Sequence, residues 1–240
     1  AVFGSAQIST ALIQTLCEKE IPISYFSMGG WFYGLTRGHG LTNVFTRIRQ
    51  FATAAEPDKA LTLARLFVYG KIRNQRTLLM RNHVEAPPVA LRALRNAASA
   101  ALVAPNLPSL LGVEGAAALV YFQHFSGMIK GRPDEDDDDL PGLEDTVSTR
   151  ARDAQKEFPF DFTTRNRRPP RDPVNALLSL AYSLLARDCT VAALAVGFDP
   201  YVGLCHQPRF GRPALALDVM EEFRPIVADS VVLTAINNRM

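Results

Sequence analysis

Glu114 in LLGVEGAAA, His206 in GFDPYVGLCHQP, and Asp218 with Glu221 in LALDVMEEFRP are the residues of this chain whose types could do chemistry. Each sits where its segment otherwise calls for an apolar or neutral side chain. Carboxylate oxygens with one imidazole suit a hard divalent ion, Mg²⁺ or Mn²⁺, of the kind that activates phosphodiester chemistry. The three segments lie far apart in the sequence, so only the fold can bring them together. Their convergence is the first expectation.

Taken singly, each residue also has a plainer reading. Glu114 shares a helical stripe with Leu110, Ala117, Ala118, Tyr121 and Phe125, which turns it toward the core. An unpaired carboxylate there is costly, so it needs an arginine, a proton or a metal. A lone His206 is more often a hydrogen-bonded structural residue. Cys205 beside it suggests a thiol nucleophile, but adjacent residues point apart, which disfavours a Cys205–His206 dyad. Asp218, Glu221 and Glu222 fall at i, i+3 and i+4 on one helical face. Such acids are ordinarily solvated surface, here with Arg224 as a salt-bridge partner.

The basic residues indicate what a metal would act upon. Arg165, Arg167, Arg168 and Arg171 in RNRRPPR form a dense cluster just before a helix start, a geometry suited to phosphate. Arg209 and Arg212 lie between His206 and Asp218, and Lys71, Arg73 and Arg76 read as a further basic stripe. The net charge of the 240 residues is only +2, but residues 134–139 read DEDDDD, and without that run the remainder is distinctly basic. That is compatible with nucleic acid. Cys17, Cys189 and Cys205 are scattered without a CxxC pair, which suggests free thiols in a reducing compartment rather than a disulfide framework or a zinc or iron–sulfur cage. No uninterrupted apolar run reaches the roughly 20 residues needed to span a bilayer, and no secretory leader is visible. The expectation is a cytoplasmic protein without a membrane segment. The chain starts at Ala1 in a β-like stretch, which suggests part of a longer product.

The elements that must position these residues are mostly helices. ISTALIQTLCEKE reads as a helix, Ile21–Phe26 as a strand, Met28-Gly29-Gly30 as a turn and WFYGL as the hairpin partner. Beyond His39-Gly40 the pattern is helical: LTNVFTRIRQFATAA, a helix opened by Pro57, PPVALRALRNAASAALVA, and a helix capped by Ser109 and running through Glu114 to about Lys130. Residues 131–160 read as a mobile acidic loop. Asp172-Pro173 is a strong helix start and Gly197 its stop. Pro213 opens the last major helix, which Pro225 must bend or divide. The fold class is therefore α+β and mostly α, with residues 1–40 as the C-terminal portion of a small β-rich domain and 41–240 as a helical domain.

Five blocks and their order make this chain resemble the CRISPR-associated adaptation integrases, the family of CRISPR-associated protein one. The blocks are ISTALIQTLCEKEIPISYF, GKIRNQRTLL, LLGVEGAAALVYF, RNRRPPRDPVNALLSLAYSLL and GFDPYVGLCHQPRFGRPALALDVMEEFRP, in that order, and the resemblance runs from about Ile8 to Asn237. The resemblance implies a β-rich N-terminal domain before an all-helical catalytic domain. It implies metal ligation by Glu114, His206 and Glu221, with Asp218 on the same acidic helix contacting metal, water or DNA, and Asn175 as a neighbour of the site. The family's β domain has more strands than this chain provides. Some members are fused to a companion nuclease carrying an iron–sulfur cluster, whose cysteines are not within these residues.

From the resemblance comes the functional expectation: a prokaryotic, metal-dependent DNA integrase and endonuclease of spacer acquisition. A 3′-hydroxyl of new spacer DNA would attack a phosphodiester of the repeat array by transesterification. The family precedent pairs homodimers with a small companion dimer, CRISPR-associated protein two. Two other readings stand beside it, a non-catalytic DNA-binding assembly subunit and a metal-dependent nuclease that cleaves without joining.

Overall fold

A computed structural model describes residues 1–39, 43–130, 160, 162–166, 169–207 and 209–240; the expected acidic loop, but for residue 160, lies outside them. Near the N-terminus, β1 (Val2–Phe3), β2 (Ile23–Phe26) and β3 (Phe32–Thr36) form a sheet in the order β1-β2-β3. β1 pairs parallel with β2, and β2 pairs antiparallel with β3. Ser27 closes the hairpin: its hydroxyl accepts from Trp31 N–H at 2.9 Å and its own N–H reaches Trp31 O at 2.8 Å. Between β1 and β2 lies α1 (Thr10–Glu18), capped by Ser9 and without a buried residue.

Helices α2 (Val44–Ala55), α3 (Pro57–Asn82), α4 (Pro88–Leu102) and α5 (Leu107–Gln123) follow, then a 3₁₀ turn at Ser126–Met128. After residues 131–159 come α6 (Pro173–Val196), α7 (Ala214–Phe223), a π-helix at Arg224–Asp229 and α8 (Ser230–Asn237). The α+β, mostly α reading therefore holds, and the Pro57, Asp172-Pro173 and Gly197 boundaries fall where the sequence places them.

Two details of α5 differ from expectation. The cap is Asn106, whose Oδ1 accepts from Ser109 N–H at 2.9 Å, so Ser109 receives the cap instead of making it. An Asn side chain satisfies an orphan donor as well as a serine would, and Pro108, which has no N–H, fits the first turn. The helix also stops at Gln123 and passes into the 3₁₀ turn well before Lys130.

α3 is the central strut. It packs on α4, α5, α7 and the π-helix, and its Val68, Ile72 and Leu79 join Leu94, Leu110, Tyr121, Phe125, Val174, Leu178 and Leu233 in one core. Each fully buried aliphatic side chain here contributes about 1.5–3 kcal/mol over its exposed state. Gly70 lets α3 and α7 touch, because a Cβ there would lie 2.9 Å from Glu222 Oε2 and 3.2 Å from its Cβ. That close approach brings the next residue, Lys71, opposite Glu221.

The sheet and α2 are tied to the end of α6 by polar contacts. Arg37 donates to Leu194 O at 2.7 Å, Arg47 to Gly197 O at 3.2 Å, and Arg187 to Gly30 O at 2.9 Å while stacking over Phe26. Gln50, buried on α2, donates to Asp199 O and Val202 O and accepts from Asp199 N–H. These bonds hold the segment that runs into His206. α6 has the length and hydropathy of a membrane span by composition, yet it packs on α7 and the π-helix and carries Asn175, Arg187 and Asp188.

Candidate active site

Asp218 is wholly buried on α7, and its two oxygens are occupied by four donors. Oδ2 accepts from the N–H groups of Leu204 at 2.5 Å and Cys205 at 3.0 Å; Oδ1 accepts from His206 N–H at 2.9 Å and from its ring Nδ1 at 2.7 Å. A carboxylate that gathers three backbone donors fixes the loop as a helix cap would. Gly203 makes room for it, since a Cβ there would lie 2.9 Å from Asp218 Oδ2 and 2.7 Å from the Ala214 Cβ. With Nδ1–H committed to Asp218, the imidazole offers Nε2 as its outward lone pair, the arrangement that orients a metal-binding histidine.

That Nε2 faces Glu221, 4.0 Å from Oε1. Glu221 lies one turn along α7 from Asp218 and is also buried. Its Oε1 accepts from Arg224 at 2.9 Å and its Oε2 pairs with Lys71 Nζ at 2.7 Å. Burial pushes its carboxyl pKa up, but the Lys71 ammonium and then the Arg224 guanidinium outweigh burial and hold it below the usual glutamate range. The same Lys71 ammonium also pairs with Glu114 Oε1 on α5. Glu114, placed on the core-facing stripe by the sequence, is thus satisfied by a lysine on α3, where an arginine, a proton or a metal was expected.

Glu114, His206 and Glu221 line one cavity of about 600 Å³, together with Arg165, Ser179, Tyr182, Ser183, Arg212 and Arg224. Arg165 and Arg224 both stack over the Tyr182 ring, at 5.3 and 4.8 Å. Arg165 also donates to Asn175 Oδ1 at 2.6 Å and Ser179 Oγ at 3.2 Å. Asn175 is buried, accepts from Asn166 N–H and donates to Thr164 O and Asp172. It reaches the site through Arg165. Beneath Tyr182, buried Asp229 accepts from Tyr182 at 2.6 Å and Tyr121 at 2.8 Å. Burial, only partly offset by these hydroxyls and by Arg224 and Lys71, pushes the Asp229 carboxyl up to about 6.

Several basic residues stand elsewhere than the sequence suggested. Lys71, Arg73 and Arg76 do not form one stripe: Lys71 points inward, Arg73 is exposed beside Tyr69, and Arg76 donates to Leu91 O at 3.2 Å. Their positions spread around the α3 axis, because offsets of 2 and 5 do not share a helical face. Arg209 and Arg212 pair across a turn whose tip, Phe210, is fully exposed, and Arg212 reaches the cavity. Arg171 is exposed at the α6 entrance. Arg167 and Arg168 lie outside the described residues.

Among the described residues, two donor sets could take a cation. Cys205, His206 and Asp218 bring Sγ, a ring nitrogen and a carboxylate oxygen within 4.8 Å of one another. Burial, and then the charges of Asp218, Glu114 and Glu221, push the Cys205 thiol up to about 12. It is therefore a protonated thiol and a poor ligand or nucleophile. Asp218 already serves four donors. The other set, Glu114, His206 Nε2 and Glu221, presents two carboxylates that already attract a protein cation and one imidazole nitrogen, a donor mixture matched to Mg²⁺ or Mn²⁺. This set fits a hard divalent ion.

The family model described as CRISPR associated protein Cas1 matches residues 1–240. The chain belongs to the Cas1 family. Among Cas1 relatives, a CRISPR-associated exonuclease Cas4/endonuclease Cas1 fusion of Geobacter sulfurreducens is 50% identical over 244 residues, covering 99% of this chain and 40% of the relative. CRISPR-associated endonuclease Cas1 3 of Thermus thermophilus is 42% identical over 239 residues, covering 99% and 62%. This chain thus spans about two fifths to three fifths of the length of those relatives. A chain of a solved partial Cas6-RT-Cas1–Cas2 complex shares the Cas1 fold at a TM-score of 0.75 and 25% identity, covering 98% of this chain and 64% of that one.

Proposed function

We propose that this chain carries the catalytic centre of a divalent-metal-dependent DNA integrase and endonuclease that joins 3′-hydroxyl ends of spacer DNA to phosphodiesters of a repeat array. The observation that carries the reading is the cavity itself. Glu114 from α5, Glu221 from α7 and His206 from the intervening loop converge on it, and Arg165, Arg212 and Arg224 line it too. Carboxylates beside guanidinium groups are what a cation and a phosphodiester need together.

Glu114, His206 Nε2 and Glu221 would hold Mg²⁺ or Mn²⁺, which when bound supplies Lewis acidity to the attacking hydroxyl and the transferring phosphate. Asp218 keeps the Nδ1 proton in place so that Nε2 remains a lone-pair donor. Arg165, held by Asn175 and Ser179, together with Arg212 and Arg224, orients phosphate oxygens. Arg167, Arg168, Arg171 and Arg209 extend the backbone contacts, which makes binding salt-dependent and largely indifferent to sequence. The division at residue 40 belongs to this proposal, supported by a core that the helices supply. So do a prokaryotic cytoplasmic setting, homodimerisation, a small companion dimer of the Cas2 kind and an iron–sulfur nuclease of the Cas4 kind. Relatives named as Cas4/Cas1 fusions and the Cas1–Cas2 complex support the last two.

The test is strand transfer of labelled duplex DNA into a repeat-containing target with the companion protein, in Mn²⁺ or in EDTA. Wild type is expected to give a longer labelled strand only with metal. Glu114→Ala and His206→Ala should each lower product by at least about 1,000-fold, the scale of losing a metal's transition-state stabilisation, with DNA affinity changed less than about threefold. Wild-type joining by either variant would sink the assignment. Cleavage without joining would make the chain a nuclease, and metal-independent binding alone an assembly subunit.

A further inference from the structure

Lys71 is among the most buried charged residues of the described chain, 4% exposed, and its ammonium lies between the two glutamates proposed as metal ligands. It pairs with Glu114 Oε1 and with Glu221 Oε2. A divalent ion held by the same two carboxylates must compete with that ammonium, because two cations a few ångströms apart in a partly desolvated site repel strongly.

The same helix provides an alternative acceptor. Gln75 lies four residues on, on the same face of α3. It is 3% exposed, and its Oε1 is a buried acceptor without a hydrogen-bond partner among the described residues. Such an atom in a native interior calls for an explanation. Lys71 and Gln75 line one small cavity of about 180 Å³, beside the larger one, with Glu114 and Arg224 also on its wall. A lysine side chain has the rotatable bonds to turn its ammonium from the carboxylates toward this cavity.

We propose that Lys71 is an internal counter-cation that holds Glu114 and Glu221 together until a divalent ion takes them, and then swings to Gln75 Oε1. The inference rests on the metal-site reading above. Lys71 is a positioning residue: it keeps two like charges from driving the site apart and sets how readily the ion enters. No proton transfer is involved.

Mn²⁺ titration of the full-length protein, reading free Mn²⁺ by electron paramagnetic resonance, tests this without any activity assay. Lys71→Met removes the competitor and should bind Mn²⁺ at least about tenfold more tightly, a modest part of the repulsion between such close charges. Its melting temperature should fall in EDTA and recover with Mn²⁺ by more than wild type gains. Gln75→Met removes the receiving oxygen and should bind Mn²⁺ more weakly than wild type. Folded Lys71→Met with equal or weaker Mn²⁺ affinity would make the lysine a fixed brace and overturn the proposal. Should Lys71→Met not fold, unchanged affinity in Gln75→Met overturns it alone. Glu114→Gln separates the two levels: weakened Mn²⁺ binding there with no tightening in Lys71→Met defeats only the lysine inference, whereas unchanged binding defeats the metal site and the lysine role together.

Discussion

Asp218 and Glu221 sit one turn apart on one helix, and their surroundings give them different work. Asp218 has no oxygen to spare, since both already bind the 204–206 loop and the His206 ring, whereas Glu221 faces Lys71, Arg224 and His206 Nε2. Asp218→Asn replaces one oxygen with a donor that must face a backbone N–H or the ring. It should cost about 3 kcal/mol in urea denaturation and weaken Mn²⁺ binding about 10- to 100-fold through the loosened imidazole. Glu221→Gln should leave the loop bonds intact yet weaken Mn²⁺ binding more than Asp218→Asn does; the reverse order would exchange the two roles. Spacing alone could not separate these acids, because residues at i and i+3 share a face and only the partners distinguish them. Glu114 was legible because a carboxylate broke an apolar stripe. Lys71 was passed over because a lysine near Arg73 and Arg76 looks like surface, although it sits three residues after Val68 and seven before Leu78, on the buried face of α3.

At the level of elements, the most informative break is the one after α7. Pro225 has no N–H to donate to the carbonyl four residues back, and the chain answers by widening into a π-helix whose Ser230 N–H reaches Pro225 O. Short π segments of this kind are frequent at functional sites. Here the segment starts with Arg224 on Glu221 and ends with Asp229 under Tyr182 and Tyr121, so one irregular element serves the cavity and its floor. The sequence announced a bend at Pro225 but not its register, which depends on how α6 and α3 pack against it. Asp229 gives this element a pH signature. Its folded pKa of about 6 is above the unfolded value of about 3.9, so the native state holds the proton longer. That contribution to stability is fully present below about pH 4 and is lost as pH rises through about 6, up to about 3 kcal/mol in all. Asp229→Asn cannot titrate, so its stability relative to wild type should improve by about 2–3 kcal/mol between pH 4 and pH 7, read from urea unfolding at each pH. Glu221 changes the other way, its depressed pKa losing stability as pH falls below the usual carboxylate range, but it is present in both proteins and cancels in the comparison. A flat difference would mean that Asp229 ionises like a surface acid.

Across the whole molecule, a net charge of +2 conceals a division between DEDDDD at 134–139 and a basic remainder. Arg165, Arg212 and Arg224 line the cavity, and Arg209 pairs with Arg212 beside it; under the proposed function they form the field a DNA strand would meet, which acts over roughly a Debye length, about 10 Å at 0.1 M salt. The six acids of that run are negative charges on the same chain, and they compete with phosphate for those arginines wherever they come within that range. Replacing Asp134, Glu135 and Asp136–Asp139 with Ser and Gly should therefore tighten duplex binding by roughly three- to tenfold at 50 mM salt, measured by fluorescence anisotropy, with the gain shrinking toward none near 300 mM as screening removes the competition. The same replacement in Glu114→Ala should show an equal gain, because the effect belongs to the charge field and not to the residues proposed as metal ligands. A gain that persists at high salt would mean the acidic run blocks DNA by direct contact, and no gain at low salt would place it beyond electrostatic reach of the cavity.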